Sequence, residues 1–198
     1  MSLRTLYRLA GWSGLSSAAI LVLNSARRAG LIPDDIAVTH VLAPLAEAFG
    51  LFLITGLFLA ARRRAGALGA AGYVLNSLGM AGLLGVEFIL NLVFPELSKD
   101  QIKELVDGLT GGVFKASSIV FLLGAIVLGA GLWRAGGIPR GAIAVYVLGA
   151  VPVALRGVLP AVTFPPGLLL MGAGVAWLAV TLVLHAARFA ENETVRTV

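Results

Sequence analysis

Apolar residues run along this chain in six long stretches, about 7–26, 38–60, 68–94, 112–133, 140–160 and 166–187, separated by short polar breaks. A helix rises ~1.5 Å per residue, so each stretch is long enough to cross a hydrocarbon core ~30 Å thick. The ~10-residue segments of alternating polarity that mark a membrane barrel are absent. The pattern predicts an all-α polytopic membrane protein, a six-helix bundle forming a single integral membrane domain over residues 1–198. The third stretch is the longest, which implies tilt or extension beyond the lipid.

The breaks have structure of their own. Pro95 ends the third stretch, and Ser98 with Gln101 three residues later forms a capping-box pattern. Ile102, Leu105, Val106 and Leu109 then recur at helical spacing between charged residues. This predicts a short amphipathic helix in the loop between the third and fourth spans, lying on the outer surface. Pro44 and Pro152 fall inside spans and predict kinks. Gly72, Gly79, Gly82 and Gly85, with Ala125 and Gly129, are small residues at spacings that let helix backbones approach closely in lipid. Arg64-Ala65-Gly66, before Tyr73 and Gly79, echoes Arg134-Ala135-Gly136, before Tyr146 and Gly149. The echo is faint, and a parallel duplication and chance similarity both stand.

Composition agrees with the pattern. Hydrophobic residues make up 59% of the chain, charged residues only 13%, and mean hydropathy is +0.96. A soluble domain of this size carries more charge. The net charge of +5 does not imply a nucleic-acid partner, because the basic residues sit at span ends, where membrane orientation requires them. With six spans, Arg4, Arg8, Arg62, Arg63, Arg64, Arg134, Arg140, Arg188 and Arg196 fall on one side. The other side holds Arg27, Arg28, Lys99 and Lys103 together with Asp34, Asp35, Glu96, Asp100, Glu104 and Asp107. The positive-inside rule then places both termini in the cytoplasm, with a prokaryotic plasma (inner) membrane as the expected location. No small-residue cleavage site follows Arg4 and Arg8 before Arg27, which predicts a retained first helix. The chain has no cysteine, which excludes disulfides, thiolate metal sites and cysteine nucleophiles.

Polar residues inside spans carry the functional information, because burying them in lipid is expensive. Counting along each helix puts His40, Glu47, Glu87, Asn91, Lys115, Arg156 and Asn24 in the outer third of the bilayer, with Ser117 and Ser118 close to Lys115. The cytoplasmic half holds mainly Asn76, Ser77 and His185. Two acids, Glu47 and Glu87, thus share a layer with two bases, Lys115 and Arg156, and mutual pairing toward the bundle interior is the economical arrangement. Two readings follow. One is a polar pocket open to the outside, in which Arg156 or Lys115 holds an anionic group and Glu47 or Glu87 serves as partner or proton carrier. The other is a pair of ion pairs that fix helix order and bind nothing.

His40 and His185 lie at opposite faces, so they cannot share one haem or one metal within the chain. No cofactor and no metal site is expected. Ser117 and Ser118 are read as bonding to backbone carbonyls rather than as nucleophiles.

The segment Gly129-Ala130-Gly131-Leu132-Trp133-Arg134-Ala135-Gly136-Gly137-Ile138-Pro139-Arg140-Gly141 resembles a hairpin of uncharacterised bacterial six- or seven-helix membrane proteins, among them the domain-of-unknown-function group DUF4386. Arg8-Leu9-Ala10-Gly11 is similar to their opening. The resemblance implies the topology and transfers no site residue.

Together these readings predict an outward-facing pocket of Glu47, Glu87, Lys115, Arg156, His40, Asn91 and Asn24 that binds a small polar or amphipathic ligand, such as a lipid headgroup, in a receptor or transporter. The alternative is a non-catalytic subunit or assembly factor packed against other membrane subunits. An intramembrane enzyme is the third reading. Membrane lipids are partners under all three.

Overall fold

The computed structural model describes residues 2–33 and 36–194, so Asp34, Asp35 and Arg196 lie outside the described residues. Every regular element is helical: α1 (Leu3–Arg28), α2 (Ala37–Leu42), α3 (Leu45–Phe88), α4 (Lys99–Asp107), α5 (Leu109–Ala135), α6 (Arg140–Ala154), α7 (Phe164–Leu184) and α8 (Ala186–Thr194). Short π and 3-10 turns follow α3 and precede α7. Among the described residues four segments are long and apolar enough to cross a membrane: α1, the run Ala37–Glu96 that contains α2 and α3, α5, and Ala161–Leu184 around α7. Large apolar side chains such as Trp12, Phe52, Leu78, Leu123, Leu148 and Trp177 are exposed on the outside of the bundle, a surface suited to hydrocarbon rather than water.

Helix α3 covers two of the expected spans and folds back on itself. Gly66 has φ 59° and ψ −153°, a conformation open essentially only to glycine. The two legs, 45–65 and 67–88, lie side by side. The Phe58 and Tyr73 rings stack with centroids 4.5 Å apart, and Thr55 Oγ1 lies 3.2 Å from the Tyr73 hydroxyl. In a straight helix residues 55 and 73 would be ~27 Å apart.

Pro44, which supplies no amide donor, separates α2 from α3 and turns the expected second span into two pieces. Pro152 lies near the end of α6, and that helix stops at Ala154 rather than near 160. The chain continues as a turn in which the Val158 and Leu159 amides donate to the Leu155 carbonyl. The short helix α4 starts after Ser98, with both hydrogen bonds of its capping box formed between Ser98 and Gln101.

Small residues set the packing. A Cβ at Gly72 would overlap the Leu128 backbone, one at Gly79 that of Phe121, one at Gly124 that of Asn76, and one at Gly131 that of Gly69. Residue numbers fall on α3 as they rise on α5, so the second leg of α3 and α5 are antiparallel and nearly in backbone contact. Gly149 and Gly174 join α6 and α7 in the same way, against Met171 and Tyr146. Gly14 packs against Leu53 and Ala179, linking α1 to both α3 and α7. The legs therefore close into a ring in the order α1, first leg of α3, second leg of α3, α5, α6, α7, and back to α1. Its centre is filled by Leu53, Leu57, Phe121, Leu128, Met171 and Leu178.

Candidate functional site

One end of this ring gathers charge. Glu87 is in the last turn of α3, and the π turn Ile89–Val93 that follows carries Asn91. The wider turn brings the Asn91 side chain back over Glu87. Its Nδ2 donates to the Glu87 carbonyl at 2.8 Å and to Glu87 Oε2 at 2.9 Å. Such π turns recur at functional positions because they displace side chains from the regular helical face. Glu87 Oε1 accepts from Arg156 Nη1 at 2.9 Å, an ion pair between α3 and the turn after α6. The Arg156 guanidinium also lies over the Phe164 ring, 5.7 Å from its centroid.

Arg27, in the last turn of α1, completes the cluster. It is only 5% exposed, its Nη2 donates to Asn91 Oδ1, and its Nη1 lies 3.5 Å from Thr39 Oγ1 on α2. A continuous line of polar contacts thus runs Thr39–Arg27–Asn91–Glu87–Arg156 and ties α1, α2, α3 and the turn after α6 together. The basic end of α1 also complements its C-terminal dipole.

Glu47 and Asn24 border the same cleft and are bound differently. Glu47 Oε2 and Asn24 Oδ1 are both buried without a hydrogen-bond partner. Glu47 lines a cleft of about 20 Å³ with Asn24, Arg27, Glu87 and Arg156. It also lines the central cavity of about 40 Å³ with Ser17, Met80 and Tyr146. Glu47 therefore borders both cavities. A water needs roughly 10–15 Å³ of such volume, so the cavities admit only a few waters as they stand. Deeper in the ring, the Tyr146 hydroxyl donates to Asn76 Oδ1 at 3.2 Å, a second polar contact among apolar side chains.

The structure therefore brings together Glu47, Glu87, Asn91, Asn24 and Arg156. It places His40 on α2, beside Thr39 but off the cleft lining. Lys115 departs from the expected pairing. It is exposed on α5 and makes no hydrogen bond or ion pair among the described residues. The reason is the early end of α6: at this level no helix covers Lys115, and it faces an open groove instead. The second base of the cluster is Arg27, which from sequence reads as a loop residue at the membrane edge. The available signal was Asn24 three residues earlier, which marks the same helix face as polar. Among the described residues no three His, Asp or Glu side chains gather as metal ligands.

These features define a class, a ring of apolar helices, several of membrane-spanning length, with a cluster of polar and charged side chains at one end. Comparison with protein-family models, with curated proteins and with solved structures finds no match to this chain.

Proposed function

We propose that the chain is an integral membrane protein of six crossings whose polar cluster faces outward and binds a small polar or amphipathic ligand, as a receptor or transporter does. The two legs of α3 supply the second and third crossings and α6 the fifth. Both termini lie on the cytoplasmic side of a prokaryotic plasma membrane, with α4 in the outer loop. The observation that carries the binding role is Glu47. Its Oε2 is buried and unpartnered on a residue that lines both the cleft and the central cavity, whereas both oxygens of Glu87 are occupied. An acceptor left unsatisfied inside a bundle is costly unless something else uses it. Glu47 is accordingly the group that meets the ligand or exchanges a proton. The small cavities make this an occluded state, and the helices part to admit a ligand.

The natural absence of cysteine gives a clean test. A single-cysteine Asn24→Cys variant in oriented proteoliposomes should react with a membrane-impermeant maleimide added on the extracytoplasmic side and not on the other. Failure to react from either side would reduce the cluster to a structural clasp.

One observation favours the second reading, a non-catalytic subunit or assembly factor. Arg27, Asn91, Glu87 and Arg156 already contact one another, as a purely structural network would. On that reading, mild-detergent purification from the native host brings a stoichiometric membrane partner.

A further inference from the structure

Beside the polar cluster lies a second and larger depression. It runs between α5 and the turn after α6, is bordered by Val106 of α4, and has a volume of about 410 Å³. Its walls are apolar, from Leu90, Phe114, Ile119 and Val158, and its two cations are Lys115 and Arg156. The volume is in the range of about 300–1,000 Å³ typical of pockets that hold small molecules.

Lys115 is exposed and unpaired among the described residues, and Arg156 gives Glu87 one of the five N–H donors that a guanidinium carries. No acid lines this groove. An apolar trough with two under-used cations in its lining suits a chain of methylenes ending in a phosphate. We propose that this groove binds an anionic phospholipid, with Lys115 and Arg156 on the headgroup phosphate and one acyl chain along Leu90, Phe114 and Ile119. Basic pockets between membrane helices hold lipid headgroups by this combination of charge and apolar contact. Phosphate oxygens accept several hydrogen bonds, so Arg156 can serve Glu87 and the lipid at once. Lys115 sits along the first turns of α5, where a residue near a span end reaches headgroup depth. The site rests on the membrane assignment and is independent of Glu47, so the cysteine-labelling test can fail while this one succeeds.

The test titrates the purified full chain, in a mild detergent, with phosphatidylglycerol or with phosphatidylcholine of the same acyl chains, and counts bound lipid by native mass spectrometry. The wild type should prefer phosphatidylglycerol. Lys115→Gln should weaken phosphatidylglycerol binding about fivefold, the effect of one basic residue near an anionic lipid surface, and weaken phosphatidylcholine less, because the choline cation already offsets that lipid's phosphate. Lys115→Arg should retain the preference. Ile119→Trp, which fills the trough, should weaken both lipids. Thermal melts of each variant without added lipid check the fold, and Lys115 has no partner to lose. Equal binding of the two lipids by the wild type, or unchanged preference in Lys115→Gln, would overturn the proposal. So would competition by inorganic phosphate at the same concentration as the lipid, because it would show that the trough contributes nothing.

Discussion

The Glu87 carboxylate divides its two oxygens between different elements: Oε1 accepts from Arg156 after α6, and Oε2 from Asn91 in the π turn. One side chain thus fixes where the end of α6 sits relative to the end of α3. Removing either member of a mostly buried ion pair leaves a charge without its partner, at a cost of about 3 kcal/mol, the low end of the usual range. The low end applies because Arg156 keeps 24% of its side-chain surface exposed. Glu87→Gln and Arg156→Gln should each lose about that much in denaturation titrations in detergent micelles. The double variant should lose clearly less than the sum. Strict additivity would mean that the two side chains do not depend on each other.

Glu47 should behave differently from Glu87. Its Oε2 has no hydrogen bond to lose, so Glu47→Gln should change stability by less than ~1 kcal/mol. A loss as large as that of Glu87→Gln in the same titration would show that Glu47 is part of the clasp and not free for a ligand.

What the chain reveals before its structure is known depends on whether a property lies along a helix or around it. The all-helical character, the interruption at Pro44 and the Ser98 cap are properties of consecutive residues, and the structure has all three, whereas four segments rather than six are long and apolar enough to cross a membrane among the described residues. Depth is also readable by counting residues, which is why Glu47, Glu87, Asn91 and Arg156 fall at one level. The direction a side chain faces is not readable in the same way, because it depends on where neighbouring helices end. Counting places Lys115 beside the acids, but it faces a groove, because α6 stops at Ala154. Counting places Arg27 at the membrane edge, but it is buried, with Asn91 of the π turn hydrogen-bonded to it. No residue pattern announces that π turn.

Backbone contact between α3 and α5 makes Gly72 and Gly85 a matched pair. A Cβ at Gly72 would overlap Leu128, whereas one at Gly85 meets nothing within 4 Å. Gly72→Ala should therefore cost about 1–3 kcal/mol through forced separation of the helices. Gly85→Ala should be neutral or stabilising by up to ~1 kcal/mol, since alanine is the better helix former. The melting curve of Gly72→Ala should shift down while that of Gly85→Ala stays in place or shifts up, and a common downward shift would contradict the packing described.

The fold-back at Gly66 relies on backbone angles that other residues reach only under strain. Gly66→Ala has open space for its methyl group, so its cost is conformational, about 1–3 kcal/mol. If a straightened α3 were equally stable, this substitution would cost nothing.

That hairpin also decides how many crossings the proposed topology has. In a straight α3, Arg63 would stand in the middle of the helix rather than at the end of a leg. The stacking of Phe58 on Tyr73 folds the first leg back along the second. Arg63 then stands at one end of the second leg, and Lys103 of α4 lies beyond the other end. Single-cysteine variants Arg63→Cys and Lys103→Cys in the cysteine-free chain should be labelled by an impermeant maleimide from opposite sides, Lys103→Cys from outside intact cells and Arg63→Cys only after permeabilisation. Arg134→Cys, exposed at the end of α5, should follow Arg63→Cys, because α5 separates it from Lys103 by one further crossing. Labelling of all three from one side would mean that the α3 hairpin or α5 does not traverse the bilayer, and that the polar cluster lies elsewhere than the outer end of a six-crossing ring.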